Sequence, residues 1–273
     1  MTVRHFISAR PIVRCLAIAA LAAGSSFNSL AMSNLSAATL YSSAMTSPPL
    51  TTGNLVGQDG WNAHSGAGSV PIQVSGAGTL VDSTAGGTRE DANVPIAPIA
   101  AGQTYYFGFD VVVNGATGVA PTNVYFAHFK DAATGTDFTT RTFVTPIVGS
   151  DFTFGLSPSG SSPSVTWATG LSYGQSYRVV GSYVNDTLET RLWVDPVTEL
   201  SPSIVATDTA AAAVAAFGLR QATANSSQLI TNLAVGTSFS DVINPVPEPT
   251  TLGLVAAGFG AMAAARRRRR HNG

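Results

Sequence analysis

Cysteine and lysine are the scarcest residues in this chain of 273, with one of each. Because the single cysteine, Cys15, lies near the amino terminus, the rest of the chain can form neither disulfides nor thiolate metal sites. Charged residues make up only 11% of the chain. Glycine, serine, threonine and alanine are abundant instead, and this composition favours β-structure with many turns over helices.

The amino-terminal segment has the layout of a secretory signal peptide. Three arginines precede an apolar run over residues 15–23, and small residues follow at Ala31 and Ala38. The apolar run, of roughly ten residues, is too short to span a bilayer. We therefore predict a signal peptide over residues 1–38, removed by signal peptidase after either Ala31 or Ala38.

The carboxyl-terminal segment, residues 244–273, combines three elements in a fixed order. A proline-bearing tetrapeptide comes first, an apolar stretch over 250–265 follows, and an arginine cluster ends it. As a helix the apolar stretch would span only about 24 Å of a hydrocarbon core of about 30 Å. This order predicts a transiently membrane-inserted sorting tag with its arginines in the cytoplasm. The residues concerned are Val246, Pro247, Glu248 and Pro249, then Arg266, Arg267, Arg268, Arg269 and Arg270.

The segment between the two ends is acidic. Residues 39–244 contain six basic and fourteen acidic side chains, which gives a net charge of −8. Nucleic acid and anionic lipid both require basic patches on their partners. The charge therefore argues against either of them as a partner.

The body, residues 39–243, shows the period-two alternation of β-strands. In Tyr105–Val113 the residues at 105, 107, 109, 111 and 113 share one face and are all aromatic or valine, and Val124–Lys130 is apolar on both faces. For the second strand, alternation places Phe126 and His128 on one face and Tyr125 and Phe129 on the other. The alanine-rich stretch 209–216 is left open between one helical turn and a loop.

Further strand candidates follow along the chain, separated by turn sequences such as Asn114-Gly115 and Asp195-Pro196. Ten or more short strands at this spacing predict an all-β, antiparallel jelly-roll-like sandwich or a barrel. The candidates are 142–148, 152–156, 165–169, 177–184, 191–195, 216–220, 229–235 and 237–242.

The tail resembles the PEP-CTERM sorting signal of Gram-negative bacteria in its V-P-E-P tetrapeptide, apolar helix and arginine cluster. The resemblance implies recognition by an exosortase after transient anchoring in the inner membrane. The body would then reach the cell surface or extracellular matrix. Proteins of this kind are associated with exopolysaccharide and biofilm.

The body is similar to PEP-CTERM proteins with concanavalin A-like lectin/glucanase jelly rolls. The resemblance implies a fold and supplies no activity. It is carried, in order, by residues 53–61 (GNLVGQDGW), 125–129 (YFAHF), 177–180 (YRVV), 192–196 (LWVDP) and 217–221 (FGLRQ).

No catalytic residues are predicted. Glycoside hydrolysis requires two carboxylates about 5 to 9.5 Å apart. Glu90 and Asp91 are adjacent, so on a strand they would point to opposite faces, and Glu189 has no acidic residue two positions away. We therefore expect no enzyme, with a divergent glycan hydrolase of the same fold kept as an alternative.

Sugar binding remains open, because an exposed aromatic ring beside polar groups can hold a pyranose. Trp61 with Asp59, Asn62 and His64 is the best such cluster in the sequence, although a strand-closing place in the core is favoured for Trp61 itself. Trp167 and Trp193 are the other tryptophans. In a strand, Trp193 would point to the opposite face from Leu192 and Val194, so it would lie either in the core or on a surface groove.

No cofactor is predicted. Calcium is possible because six aspartates offer oxygen ligands, but none falls in a calcium-loop pattern, so no metal site is assigned. The sequence thus predicts an exported surface or matrix protein with a structural or adhesive role and possible polysaccharide binding. A purely structural matrix component without a ligand is the other alternative.

Overall fold

The computed structural model describes residues 38–84, 87–99, 102–116 and 118–243. The predicted signal peptide up to residue 37 and the predicted sorting tag lie outside these ranges. The described chain forms strands and one short helix, α1 (Phe239–Ile243). The strands are β1 (Thr39–Ser43), β2 (Gly53–Asn54), β3 (Asn62–Ser65), β4 (Gln73–Ser75), β5 (Gly78–Val81), β6 (Asp91–Pro95), β7 (Thr104–Gly115), β8 (Val124–Lys130), β9 (Phe138–Thr145), β10 (Thr153–Ser157), β11 (Val165–Thr166), β12 (Ser176–Val184), β13 (Glu189–Val194), β14 (Ile204–Thr207), β15 (Ala216–Leu219) and β16 (Ser226–Gly236).

The strands form two antiparallel sheets. The nine-stranded sheet has the order β14-β13-β12-β7-β16-β5-β4-β2, and β1 pairs with β16 beyond the end of β5. The seven-stranded sheet has the order β11-β10-β9-β8-β15-β6-β3. In the described ranges, each strand pairs with at least one other strand and the hydrophobic core is formed by these same residues, so we expect residues 38–243 to fold as one unit. The predicted all-β sandwich is confirmed.

The core lies between the two sheets and is rich in phenylalanine. Alternation in β7 points Phe107 and Phe109 inward, as predicted, and both are fully buried. The ring centroid of Phe107 lies 5.1 Å from that of Phe129 and 5.2 Å from that of Phe217, while Phe109 lies 5.8 Å from Phe126. Such aromatic pairs add about 0.5 to 1.5 kcal/mol each beyond their buried area.

Helix α1 covers part of the outer face of the nine-stranded sheet. Beneath it lies Trp193, 5.4 Å from the ring of Phe239 and on the opposite side of β13 from Leu192, which faces the main core. The strand predicted over 237–242 is wrong, because Ser238 and Asp241 form a capping box. The backbone amide of Asp241 donates to Ser238 Oγ, and that of Ser238 donates to Asp241 Oδ2.

The segment before β7 contains six short strands that the sequence did not predict. Most of them have two to four residues and contain glycine, serine or asparagine, so alternation has no length over which to appear. The alanine-rich stretch 209–216 is a loop that leads into β15, without a helical turn.

Candidate functional site

Strand β8 departs from the simple alternation that its sequence predicts. Its pairing with β9 shifts register between Tyr125 and Ala127 and again between Ala127 and Phe129. These irregularities turn both Phe126 and Phe129 into the core, while Tyr125 and His128 lie on the outer face of the seven-stranded sheet. The prediction that Phe126 and His128 share a face is therefore wrong, because bulges change the side-chain phase.

Aromatic and basic side chains gather around Tyr125 and His128 on this outer face. They come from β3, β8 and β9 and from the residue that follows β15, so positions far apart in the sequence meet here. We call this set the outer cluster. Its members are His64, Tyr125, His128, Lys130, Phe138, Arg141 and Arg220.

The rings of the outer cluster pack edge to face. The His128 imidazole lies 4.7 Å from the Phe138 ring and 5.5 Å from that of Tyr125, measured between centroids. Gly218 of β15 allows this packing, because a Cβ there would lie 2.7 Å from Nε2 of His128. Phe143, two residues after Arg141 on β9, packs against Tyr125 with their ring centroids 5.5 Å apart.

The basic side chains lie over these rings. The guanidinium carbon of Arg220 is 4.3 Å from the Tyr125 centroid, and that of Arg141 is 5.0 Å from the same point. Lys130 Nζ lies 5.6 Å from the Phe138 centroid. Cation–π attraction of this kind contributes about 0.5 to 2 kcal/mol per contact and holds each charge in place.

The cations of the outer cluster lack carboxylate partners. Within the described ranges, ion pairs join Arg178 to Asp110 at 3.2 Å and Arg191 to Glu189 at 2.5 Å, and none involves the cluster. Arg141 donates from Nη1 to the carbonyl of residue 160, but its Nε is buried without a hydrogen-bond partner. The cations of the cluster therefore make no direct ion pair in the described ranges, and the carboxylates of Asp91, Asp131 and Asp208 act on them only from a longer distance.

Burial and the charges of neighbouring cations lower the pKa values of His128 and Arg141. Burial, followed by the charges of Lys130 and Arg141, holds the pKa of the His128 imidazole well below its ordinary value of 6.5. Burial also lowers the pKa of Arg141; Tyr125 opposes that shift and the neighbouring Arg220 charge adds to it. The His128 imidazole is therefore neutral near pH 7.

The β8–β9 loop, residues 131–137, is fastened beside the cluster by three side chains. Lys130 Nζ and Asn93 Nδ2 donate to the carbonyl of Ala133, at 3.1 and 3.2 Å. A ring nitrogen of His64 lies 3.1 Å from the carbonyl oxygen of Gly135. Lys130 is completely buried by these contacts, so Arg141 and Arg220, both partly exposed, form the accessible part of the cluster.

The structure does not gather the four predicted glycan-binding residues on one surface. Trp61 is 1% exposed, packs on Phe217 at 6.5 Å, and donates from Nε1 to the hydroxyl of Tyr41 at 2.8 Å. That hydroxyl in turn donates to Asp59. Trp61 therefore closes the core, the role favoured from its sequence, and offers no exposed ring for stacking, so it does not serve the possible glycan site.

The other two predicted residues go to different places. Asn62 is exposed and donates from Nδ2 to the carbonyl of Gly60 at 2.7 Å, an interaction that shapes the local turn. His64 lies on β3 and joins the outer cluster, with its ring 5.6 Å from that of Phe138.

Among the described residues, no group of three or more histidine, cysteine, aspartate or glutamate side chains is placed to hold a metal ion. The aspartates considered for calcium serve other contacts. Asp91, for example, accepts from Ser65 Oγ and from the backbone amide of Gln221, and burial raises its pKa.

Sequence reasoning missed most of the outer cluster. One signal was readable: in β15, alternation of Phe217 and Leu219 toward the core leaves Gly218 and Arg220 on the opposite face. The remainder depends on the bulges of β8 and on pairing with β9, which no local pattern shows.

Comparison with protein families supports the sorting tag. Residues 245–270 match the model of the PEP-CTERM protein-sorting motif, which confirms that predicted resemblance and indicates exosortase-dependent surface export. Among curated proteins, no sequence matches the chain. In the part of the chain that the structure describes, no helix is long and apolar enough to cross a membrane.

Solved structures with a similar β-sandwich include legume lectins. Peanut lectin with a 9mer peptide is 10% identical, with a TM-score of 0.48, over 74% of this chain and 98% of that one. Basic winged bean lectin with Tn-antigen is 11% identical, with a TM-score of 0.45, over 74% and 99%. An alginate lyase from Alteromonas sp. 272 is 13% identical, with a TM-score of 0.39, over 64% and 92%.

Proposed function

We propose that this protein is an exported, exosortase-processed surface or matrix protein that binds polysaccharide through the outer face of its seven-stranded sheet. In this proposal signal peptidase cleaves after Ala31 or Ala38, and the carboxyl-terminal segment holds the chain transiently in the inner membrane of a Gram-negative bacterium. The match at residues 245–270 supports the export route.

The outer cluster carries the binding part of the proposal. Two guanidinium groups lie over one tyrosine ring without an ion-pair partner, at 4.3 and 5.0 Å. Sugar hydroxyls accept hydrogen bonds, and guanidinium N–H groups donate them in a fixed planar fork. Gly218 and Gly155 lie on the same face, where Gly218 makes room for the His128 ring and Gly155 makes room for Pro163.

The position of α1 is consistent with display of this face. The last described residues, 239–243, pack on the outer side of the nine-stranded sheet, where Arg178 donates to the carbonyl of Val242. The outer cluster lies on the opposite side of the sandwich. An attachment that continues from residue 243 would therefore leave the outer cluster accessible.

A binding role is favoured over hydrolysis by the charges of this face. Inverting and retaining glycoside hydrolases both use a pair of carboxyl groups. The charged groups that contact the rings of the outer cluster are cations, and the carboxyl of Asp91 at its margin is engaged by Ser65 and Gln221. We therefore propose an adhesive or structural role without catalysis.

A polysaccharide pull-down and glycan array with residues 38–243, with and without calcium, test this function. We expect binding that Tyr125→Leu weakens at least about tenfold, because the ring that positions both arginines is lost. Tyr173→Leu is the matched control, since that tyrosine packs on Phe152 outside the cluster. If both variants bind equally well, the site is elsewhere; if no glycan binds, the protein is a structural component without such a ligand.

A further inference from the structure

We propose that the ligand of the outer cluster is a carboxylated polysaccharide, held through its uronate groups by Arg141 and Arg220. This inference rests on the proposed polysaccharide-binding function and specifies its ligand class.

The first argument is the distribution of charge. The body carries a net charge of −8 and only six basic residues, yet three of the six belong to the outer cluster. The positive charges of Lys130, Arg141 and Arg220 repel one another, which opposes folding, and an anionic ligand would relieve that repulsion.

The second argument is that the guanidinium groups are fixed before any ligand arrives. The Tyr125 ring holds both of them, and Arg141 is further held by its bond to the carbonyl of Gly160 at 3.1 Å. A side chain that is already ordered loses little entropy on binding. The planar guanidinium fork matches a carboxylate with two parallel hydrogen bonds, which a neutral hydroxyl cannot accept in the same way.

The third argument limits the charge density of the ligand. Of the charged side chains in the cluster, Arg141 and Arg220 are the accessible ones. Lys130 is completely buried, and the buried His128 imidazole carries no charge. Duplex DNA carries one charge per about 1.7 Å and needs many cations. Two accessible arginines on an otherwise acidic body match a polysaccharide that carries at most one carboxylate per sugar unit.

The experiment compares uronic-acid oligosaccharides with the same oligosaccharides after chemical reduction of their carboxyl groups to alcohols, by titration calorimetry on residues 38–243. We expect reduction to weaken binding about tenfold to a hundredfold, and added salt to weaken binding of the uronate form. Arg141→Gln and Arg220→Gln should each cost about tenfold on the uronate form and little on the reduced form. Arg191→Gln, on the other sheet and paired with Glu189, is the matched control. Unchanged thermal midpoints exclude unfolding as the cause.

The possible outcomes distinguish failure of uronate recognition from failure of polysaccharide binding as such. Equal binding of the uronate and reduced forms would overturn the inference and leave polysaccharide binding intact. Binding to neither form, with the glycan array also empty, would overturn both. Preference for dextran sulfate or duplex DNA over the uronate oligosaccharide would show an anion site of another kind and would also overturn the inference.

Discussion

The buried His128 should make the stability of the body depend on pH. In the unfolded chain this imidazole takes up a proton near its ordinary pKa of 6.5, whereas in the folded protein burial and neighbouring cations hold the pKa well below that value. Between the two pKa values the unfolded state binds more protons. As far as His128 is concerned, the unfolding free energy is therefore at its full value above pH 6.5 and falls as the pH is lowered through that value.

The size of the effect follows from the unfolded-state titration. If the folded imidazole stays neutral throughout, lowering the pH from 7.5 to 5.5 should cost about 1.4 kcal/mol of unfolding free energy. Asp91 acts in the opposite direction, since burial raises its pKa and its protonated form favours the folded state at lower pH. Because Asp91 is unchanged in a His128 variant, the difference between variant and wild type isolates the histidine.

Urea unfolding of residues 38–243, followed by tryptophan fluorescence at pH 7.5, 6.5 and 5.5, measures this dependence. We expect His128→Gln to remove about 1.4 kcal/mol of the change between the two extremes. His64→Gln, the matched control at the other body histidine, should leave most of it. Equal pH dependence in wild type and His128→Gln would refute the reasoning.

Two further predictions concern the carboxyl-terminal end of the body and the sorting tag. Arg178→Met should lower the unfolding free energy by roughly 2 to 3 kcal/mol, less than a fully buried ion pair would, because its partner Asp110 is 28% exposed. It should also speed hydrogen exchange in α1, since Arg178 contacts the carbonyl of Val242; an unchanged urea midpoint would contradict this. Replacing Pro247 and Pro249 with alanine should leave unprocessed protein in the inner membrane, visible as a larger band in the membrane fraction, and normal processing would argue against exosortase recognition of this motif.

The sequence by itself determined the elements that depend on local patterns. Alternation over Tyr105–Val113 identified a central strand and the face that it buries, because a side-chain period of two holds wherever a strand is regular. The order of motif, apolar stretch and arginines identified the sorting tag, since that signal is linear. The helix at 239–243 was also readable in principle, because its capping box lies within four residues.

Tertiary structure alone decided which residues form the outer cluster. The bulges in β8 arise from its pairing with β9, and they reverse the expected faces of His128 and Phe129. Trp61 is buried against Phe217, more than 150 positions away, and its local polar surroundings alone could not decide between that core role and a glycan-binding surface. Local sequence sets the side-chain period, whereas the phase of that period and the burial of a ring depend on strands that meet only in the folded chain.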